Sequence, residues 1–275
     1  MVSHLGFDVK RLCTTDKFTL YSDDVIFRLY CGGDDANTHG ICTGDLLSGL
    51  EEIGALTTAQ VAEKLATLCA WHVGLMIDFK YQLAIVPDAL RTIGSVAIGV
   101  DLLQNSPSFM SMATAIWDFR SEFILSVSHV GSILKVMIED ACLPTTAIAS
   151  FLGVWYVKAK LRSDAPHPPM NIWTKIVQLA AAHNPQMSKD SAQRLWSVFL
   201  AFVEFEHGDR MDEQKERDAI QFMAQQCAIL DVEVKNVQGS TLSERLSIGL
   251  TPGTANADLF AKASVMAKIQ IGLKD

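Results

Sequence analysis

The sequence lacks a long uncharged apolar run and a run of basic residues. Its most membrane-like stretch, residues 141–157, is short and contains Pro144, whereas a membrane-spanning helix needs about 20 apolar residues. There is no lysine- or arginine-rich segment, and the net charge is −8. A basic surface for nucleic acid is therefore absent from the chain as a whole. We expect no membrane span and no specific DNA binding, with residues 141–157 forming a helix buried in a protein core.

The cysteine pattern and the missing motifs exclude further classes. The six cysteines are scattered, and no two form a C-x-x-C pair. In a chain of 275 residues this favours free thiols in a reducing compartment. No apolar segment typical of a secretory signal follows Met1, and we expect a cytoplasmic protein. Motifs of phosphate-binding loops, serine hydrolases and H-E-x-x-H zinc enzymes are also missing.

What the sequence does contain is ample apolar material for a core. Hydrophobic residues make up 49% of the chain, charged residues make up 20%, and the mean hydropathy is +0.21. A disordered chain has the opposite composition. Because the charged coat is thin, we expect part of the apolar surface to be covered by a protein partner or by an oligomer.

Hydrophobic periodicity predicts a small mixed unit at residues 1–80. The alternating segment at 18–22 and the apolar run at 72–77 are typical of strands. Two helices are predicted, one at 45–53 and one that is capped by Thr57 or Thr58 and ends near Cys69.

Beyond residue 80 the helical period dominates, and we expect an α-helical bundle domain at residues 81–275. The segment from Ser191 to Phe205 is apolar over most of its circumference, so its helix is expected at the centre of the bundle. The predicted helices lie near residues 87–103, 108–119, 121–140, 145–162, 170–183, 189–206, 211–229 and 256–271, with a short one at 241–247. The predicted fold is mainly α, with a small α/β portion at the N-terminus.

Residues 20–80 carry a particular order of acidic, glycine and leucine positions. The segment LYSDDVIFRL places Ser22, Asp23 and Asp24 after an apolar strand pattern, and GICTGDLLSGLEEIGAL then supplies a TG-x-LL motif at 43–47. This order resembles the C-terminal half of a PIN domain. PIN domains are metal-dependent ribonucleases, and many are toxins of toxin–antitoxin pairs.

The resemblance implies a metal site that hydrolyses RNA. In such a site, carboxylates at strand ends hold Mg²⁺ or Mn²⁺, and a metal-bound water attacks the phosphodiester. By resemblance Asp24 is the principal metal ligand and catalytic carboxylate, with Asp23 beside it. Asp45 is a further carboxylate of the metal site, and the Ser22 hydroxyl orients a carboxylate or the water.

The chain departs from the family pattern ahead of the matched segment. The family has a metal-binding aspartate at the end of its first strand and another acid on a later helix, both before that segment. Neither Asp8 nor Asp16 follows an apolar strand pattern, and one or two carboxylates hold a catalytic metal poorly. We therefore expect a fragment, a domain that has lost its activity, or a unit that another chain completes.

Two further motifs have simpler interpretations as loop and core. Cys31, His39 and Cys42 lie near one another in sequence, but the fourth ligand of a zinc site is missing. Residues 56–65 are similar to the first helix of a helix-turn-helix, but the apolar segment that follows lacks base-reading side chains.

The acidic cluster from Glu204 to Asp212 surrounds His207 and precedes a charged helix. It is typical of a helix end that Gly208 stops and water solvates. With these sites set aside, the main alternative to a ribonuclease is a non-catalytic helical scaffold or protein–protein interaction module. A helix-turn-helix regulator is the third hypothesis.

The ribonuclease hypothesis has a direct test. If the chain is an active nuclease, RNA cleavage that depends on Mg²⁺ or Mn²⁺ vanishes in Asp24→Ala, because the principal metal ligand is lost. Cleavage is measured on labelled RNA with and without a chelator. Cleavage that survives both treatments excludes the assignment, and a native chain that cuts no RNA leaves the scaffold hypothesis ahead.

Overall fold

The computed structural model describes most of the chain beyond residue 41. The described residues are 42–70, 79–86, 88–117, 123–140, 142–161, 177, 181, 184, 186–208, 212–233 and 241–272. The chain divides into two compact units, Met1–Ile85 and Val86–Asp275. In the described part of both units the regular elements are helices.

Three helices make up the described part of the first unit: α1 (Thr43–Glu52), α2 (Thr58–Ala70) and α3 (Phe79–Ala84). Gly54 ends α1 in the left-handed region, with φ +73°, as its sequence predicts. The N–H of Gln60 donates to the Thr57 hydroxyl, and the Thr57 N–H donates to the Gln60 side chain. This reciprocal cap confirms that a helix begins here.

In the described residues of the second unit there are one 3₁₀ turn and eight α-helices with defined bounds. The turn spans Asp88–Thr92, and the helices are α4 (Val96–Gln104), α5 (Pro107–Ile116), α6 (Phe123–Glu139), α7 (Thr145–Lys160), α8 (Lys189–His207), α9 (Glu213–Glu233), α10 (Leu242–Ser247) and α11 (Ala255–Gly272).

Helix α7 is the buried centre of the second unit. Every residue from Ala147 to Tyr156 is buried, and so is Ala159. The prediction that residues 141–157 contain a core helix is therefore confirmed. Among the described residues, no helix is both long enough and apolar enough to cross a membrane.

The contact between α4 and α7 is close because two glycines remove side chains from it. A Cβ on Gly99 would lie 2.7 Å from the Cβ of Ser150 and still closer to its hydroxyl, while a Cβ on Gly153 would lie 2.7 Å from Val100. Ser150 donates from its hydroxyl to the carbonyls of Val96 and Thr146, at 3.2 and 2.7 Å. The Ser150 hydroxyl in this contact is thus paired with backbone carbonyls.

Helix α8 packs against α7 and also contacts α4, α6, α9 and α10. The indole N–H of Trp196 donates to the carbonyl of Leu246 at 2.8 Å. Arg194 donates to the carbonyls of Ile138 and Asp140, at 2.9 and 2.6 Å, and so closes the C-terminal end of α6. The prediction of a central helix at this position is confirmed.

Most of the predicted helices are also confirmed, with ends that differ by a few residues. The prediction at 87–103 is only partly right, because the 3₁₀ turn and the segment around Gly94 precede α4. Of the helix predicted at 170–183, only residues 177 and 181 are described, and both are helical.

The predicted α/β portion at residues 1–80 is wrong. The described residues of this region form helices α1 and α2 and the start of α3, with no strand among them. The predicted strands at 18–22 and 72–77 lie outside the described residues. Short apolar runs do not distinguish strands from helices, whereas the caps at the starts of α1 and α2 are specific to helices.

We predict that Gly99→Ala destabilises the second unit by about 1–3 kcal/mol, because the new methyl group overlaps Ser150. Urea unfolding followed by circular dichroism measures the loss. Gly272→Ala is the control, since a Cβ there meets nothing within 4 Å.

A second substitution separates overlap from other effects. Ser150→Gly removes both of the nearest atoms, so the double variant should be more stable than the sum of the single effects implies. Strict additivity of the two substitutions would contradict close packing at this contact.

Candidate functional site

The residues predicted from the PIN resemblance are only partly described. Ser22, Asp23 and Asp24 lie outside the described residues, so the metal site remains a prediction. Asp45 is described, and its carboxylate accepts the N–H of Cys42 at 2.7 Å in the capping box of α1. This role at a helix N-terminus accounts for an aspartate at this position.

No metal-binding group is found in the described part of the chain. Within it, no three histidine, cysteine, aspartate or glutamate side chains lie close enough to hold an ion. Of the cysteine–histidine motif, Cys42 is buried beside the start of α1, while Cys31 and His39 lie outside the described residues.

Glu51 is the centre of a hydrogen-bonded cluster that joins the three helices of the first unit. Its carboxylate accepts from the Thr58 hydroxyl at 2.6 Å, from the Tyr81 hydroxyl at 2.7 Å and from the Lys80 ammonium at 3.0 Å. These hydrogen bonds, that of Thr58 first, lower the pKa of Glu51 to about 2. The cluster holds an ionised carboxylate in place and stabilises helix packing.

A second cluster of the same residue types joins α7 and α8. Glu206 accepts from the Tyr156 hydroxyl at 2.7 Å and from the Lys160 ammonium at 3.2 Å. The Lys160 ammonium also lies 4.8 Å from the centre of the Tyr156 ring. Burial, and then the hydrogen bond to Glu206, raise the pKa of Tyr156 above its ordinary value. A phenol held protonated in this way is a structural donor at neutral pH.

The end of α8 behaves as its sequence predicts. Gly208 has a φ of +65° and terminates the helix. Asp212 then accepts the N–H of Lys215 at 2.8 Å at the start of α9. The carboxylates of Glu206 and Asp212 therefore serve packing and capping, which supports the interpretation of this cluster as a helix end.

The cavities found in the described residues are small and open. One, of about 450 Å³, is a shallow depression along α2 lined by Leu56, Ala59, Gln60, Glu63, Lys64 and Thr67. Another, of about 280 Å³, lies between α10 and α11 and includes Ser243, Ser264 and Lys268 in its walls. Ligand pockets enclose most of their ligand and are usually about 300–1,000 Å³ in volume. The depression along α2 is open and the cavity between α10 and α11 is below that range, so neither has the form of a small-molecule site.

The most unusual surface in the described residues lies on α11. Val265, Met266 and Ile269 are 57%, 56% and 51% exposed. We call these three residues, with the neighbouring Ala261 and Lys262, the α11 face. The opposite side of the helix is buried against the unit through Phe260, Ala263, Ser264 and Ala267. A surface helix normally presents polar residues to water, whereas the exposed side of α11 combines these three apolar side chains with Asp258, Lys262 and Gln270.

The position of α11 is fixed by its contacts with α9 and α10. Asp231 of α9 lies 3.3 Å from the Lys268 ammonium and accepts the N–H of Leu242, the first residue of α10, at 2.8 Å. Asn256 donates to Glu216 at 2.6 Å near the other end of the helix pair. These contacts hold α11 rigidly enough to present its outer side as a defined surface.

A groove of about 270 Å³ runs along the α11 face between α11 and α9. Its walls are Gln221, Gln225, Leu259, Lys262, Ala263, Met266, Ala267 and Gln270. The polar part of this lining consists of three amides and one ammonium group. Amide-lined apolar grooves offer hydrogen bonds without imposing a strong charge on what they contact.

A second apolar stripe lies along α1 and at its C-terminal end, where Leu46, Leu50 and Ile53 are exposed at helical spacing. Asp45 and Glu52, which flank it, are exposed as well. The stripe contains no described groove of its own, so the α11 face is the stronger candidate for a binding surface.

Sequence reasoning located α11 but missed its outer face. The signal lies in AKASVMAKIQIG at 261–272, where apolar or small residues occur on more than one side of the helix and only Lys262, Lys268 and Gln270 interrupt them. Which of those sides faces the core depends on the packing against α9 and α10, which the periodicity of α11 alone does not specify.

Comparisons of the chain with models of protein families, with curated protein sequences and with solved structures found no match. The α11 face is therefore interpreted from its own geometry.

The Glu51 cluster generates a pH prediction. Because the pKa of Glu51 falls from 4.5 to about 2 on folding, its hydrogen bonds stabilise the first unit fully above pH 4.5. That stability is lost as the pH falls toward 2. In Glu51→Gln this acid-dependent loss should shrink, and thermal unfolding by circular dichroism across the acid range measures it.

The control for that prediction is Glu52→Gln, which removes the same charge from an exposed position at the end of α1. It should keep the acid profile of the native chain. A Glu51→Gln profile identical to that of the native chain would show that the cluster contributes nothing.

Proposed function

We propose that the chain is a non-catalytic helical module that binds a protein through the α11 face. The observation that supports this most directly is the exposure of Val265, Met266 and Ile269 on one side of a helix whose other side is already buried. Contiguous apolar residues on a rigid element are typical of protein-binding surfaces. The groove beside them adds amide groups that suit backbone or side-chain hydrogen bonds of a partner.

The contacts of the described carboxylates also support a non-catalytic function. Asp45, Glu51, Glu206 and Asp231 are each engaged in capping or in contacts between helices. A catalytic carboxylate is directed at a substrate, a metal or a catalytic partner. The described carboxylates named here are directed at the protein's own helices.

The ribonuclease hypothesis keeps its separate test on Asp24. Its site residues Ser22, Asp23 and Asp24 lie outside the described residues, and the α/β unit that the resemblance implied is wrong. RNA and Mg²⁺ or Mn²⁺ belong to that hypothesis alone. The expectation of a cytoplasmic protein is compatible with a binding module, and the described cysteines Cys42, Cys69, Cys142 and Cys227 are free thiols.

The proposal predicts that the α11 face contributes to binding and little to folding. Replacing Val265, Met266 and Ile269 together with serine should change the free energy of unfolding by no more than about 0.5 kcal/mol per site. Phe260→Ala, on the buried side of the same helix, should cost about 3–5 kcal/mol. Urea unfolding of the full chain measures both.

Binding is tested by a photo-cross-linking amino acid at Val265 in the full chain, expressed in its native host. A cross-linked product of one defined mass is expected, and it should disappear when Met266 and Ile269 are also replaced with serine. The same cross-linker at Ile98, which is 62% exposed on α4, is the matched control. Equal labelling at both positions, or a triple serine variant that is strongly destabilised, contradicts the proposal.

A further inference from the structure

We draw no further inference here: the strongest candidate, the exposed apolar surface of α11 formed by Val265, Met266 and Ile269, belongs to the binding surface already proposed, and nothing in the structure shows what covers it.

Discussion

The close approach of α7 to α4 is the constraint on which the second unit depends. Helix α7 is surrounded on all sides, so each neighbour has to pack against a surface with little room for adjustment. Gly99 and Gly153 remove the side chains that would hold the two helices apart. The Ser150 hydroxyl is satisfied by carbonyls of both helices. With α7 fixed against α4, α8 can cover another side of α7 and in turn contact α6, α9 and α10.

The outer helices α10 and α11 are positioned by a few polar contacts with α8 and α9. Trp196 of α8 holds the end of α10 through Leu246, and Asp231 of α9 holds the start of α10 and Lys268 of α11. The Asp231 side chain is 4% exposed, so its charge is stabilised by an ammonium group and by backbone N–H donors rather than by water. Because both ends of α10 and Lys268 of α11 are fixed in this way, α11 packs with one side against the unit and the opposite side exposed.

The sequence predicts helices well here because their signals are local. Thr57 with Gln60 and Gly54 mark helix ends through hydrogen bonds and backbone conformations that involve only neighbouring residues. The burial of α7 is also predictable, because an uncharged stretch of that length has few other stable environments. The predicted α/β class of residues 1–80 is wrong because the described residues there are helical, while the segments 18–22 and 72–77, on which the strand prediction rested, lie outside the described residues. Asp45, which was predicted as a further carboxylate of the metal site, caps the start of α1.

The low charge content of the chain explains why its candidate site is apolar. Charged residues make up 20% of the sequence, and the carboxylates of Glu51, Glu206 and Asp231 are each held by two or more donors between helices. The donors stabilise the charge of such a carboxylate. If the side chain turned toward a ligand, its contact between the helices would be lost. In the proposed function, recognition uses groups that folding leaves exposed, namely the side chains of Val265, Met266 and Ile269. Burying these side chains against a partner releases their hydration water, and the small residues near them on α11 allow that partner to approach closely.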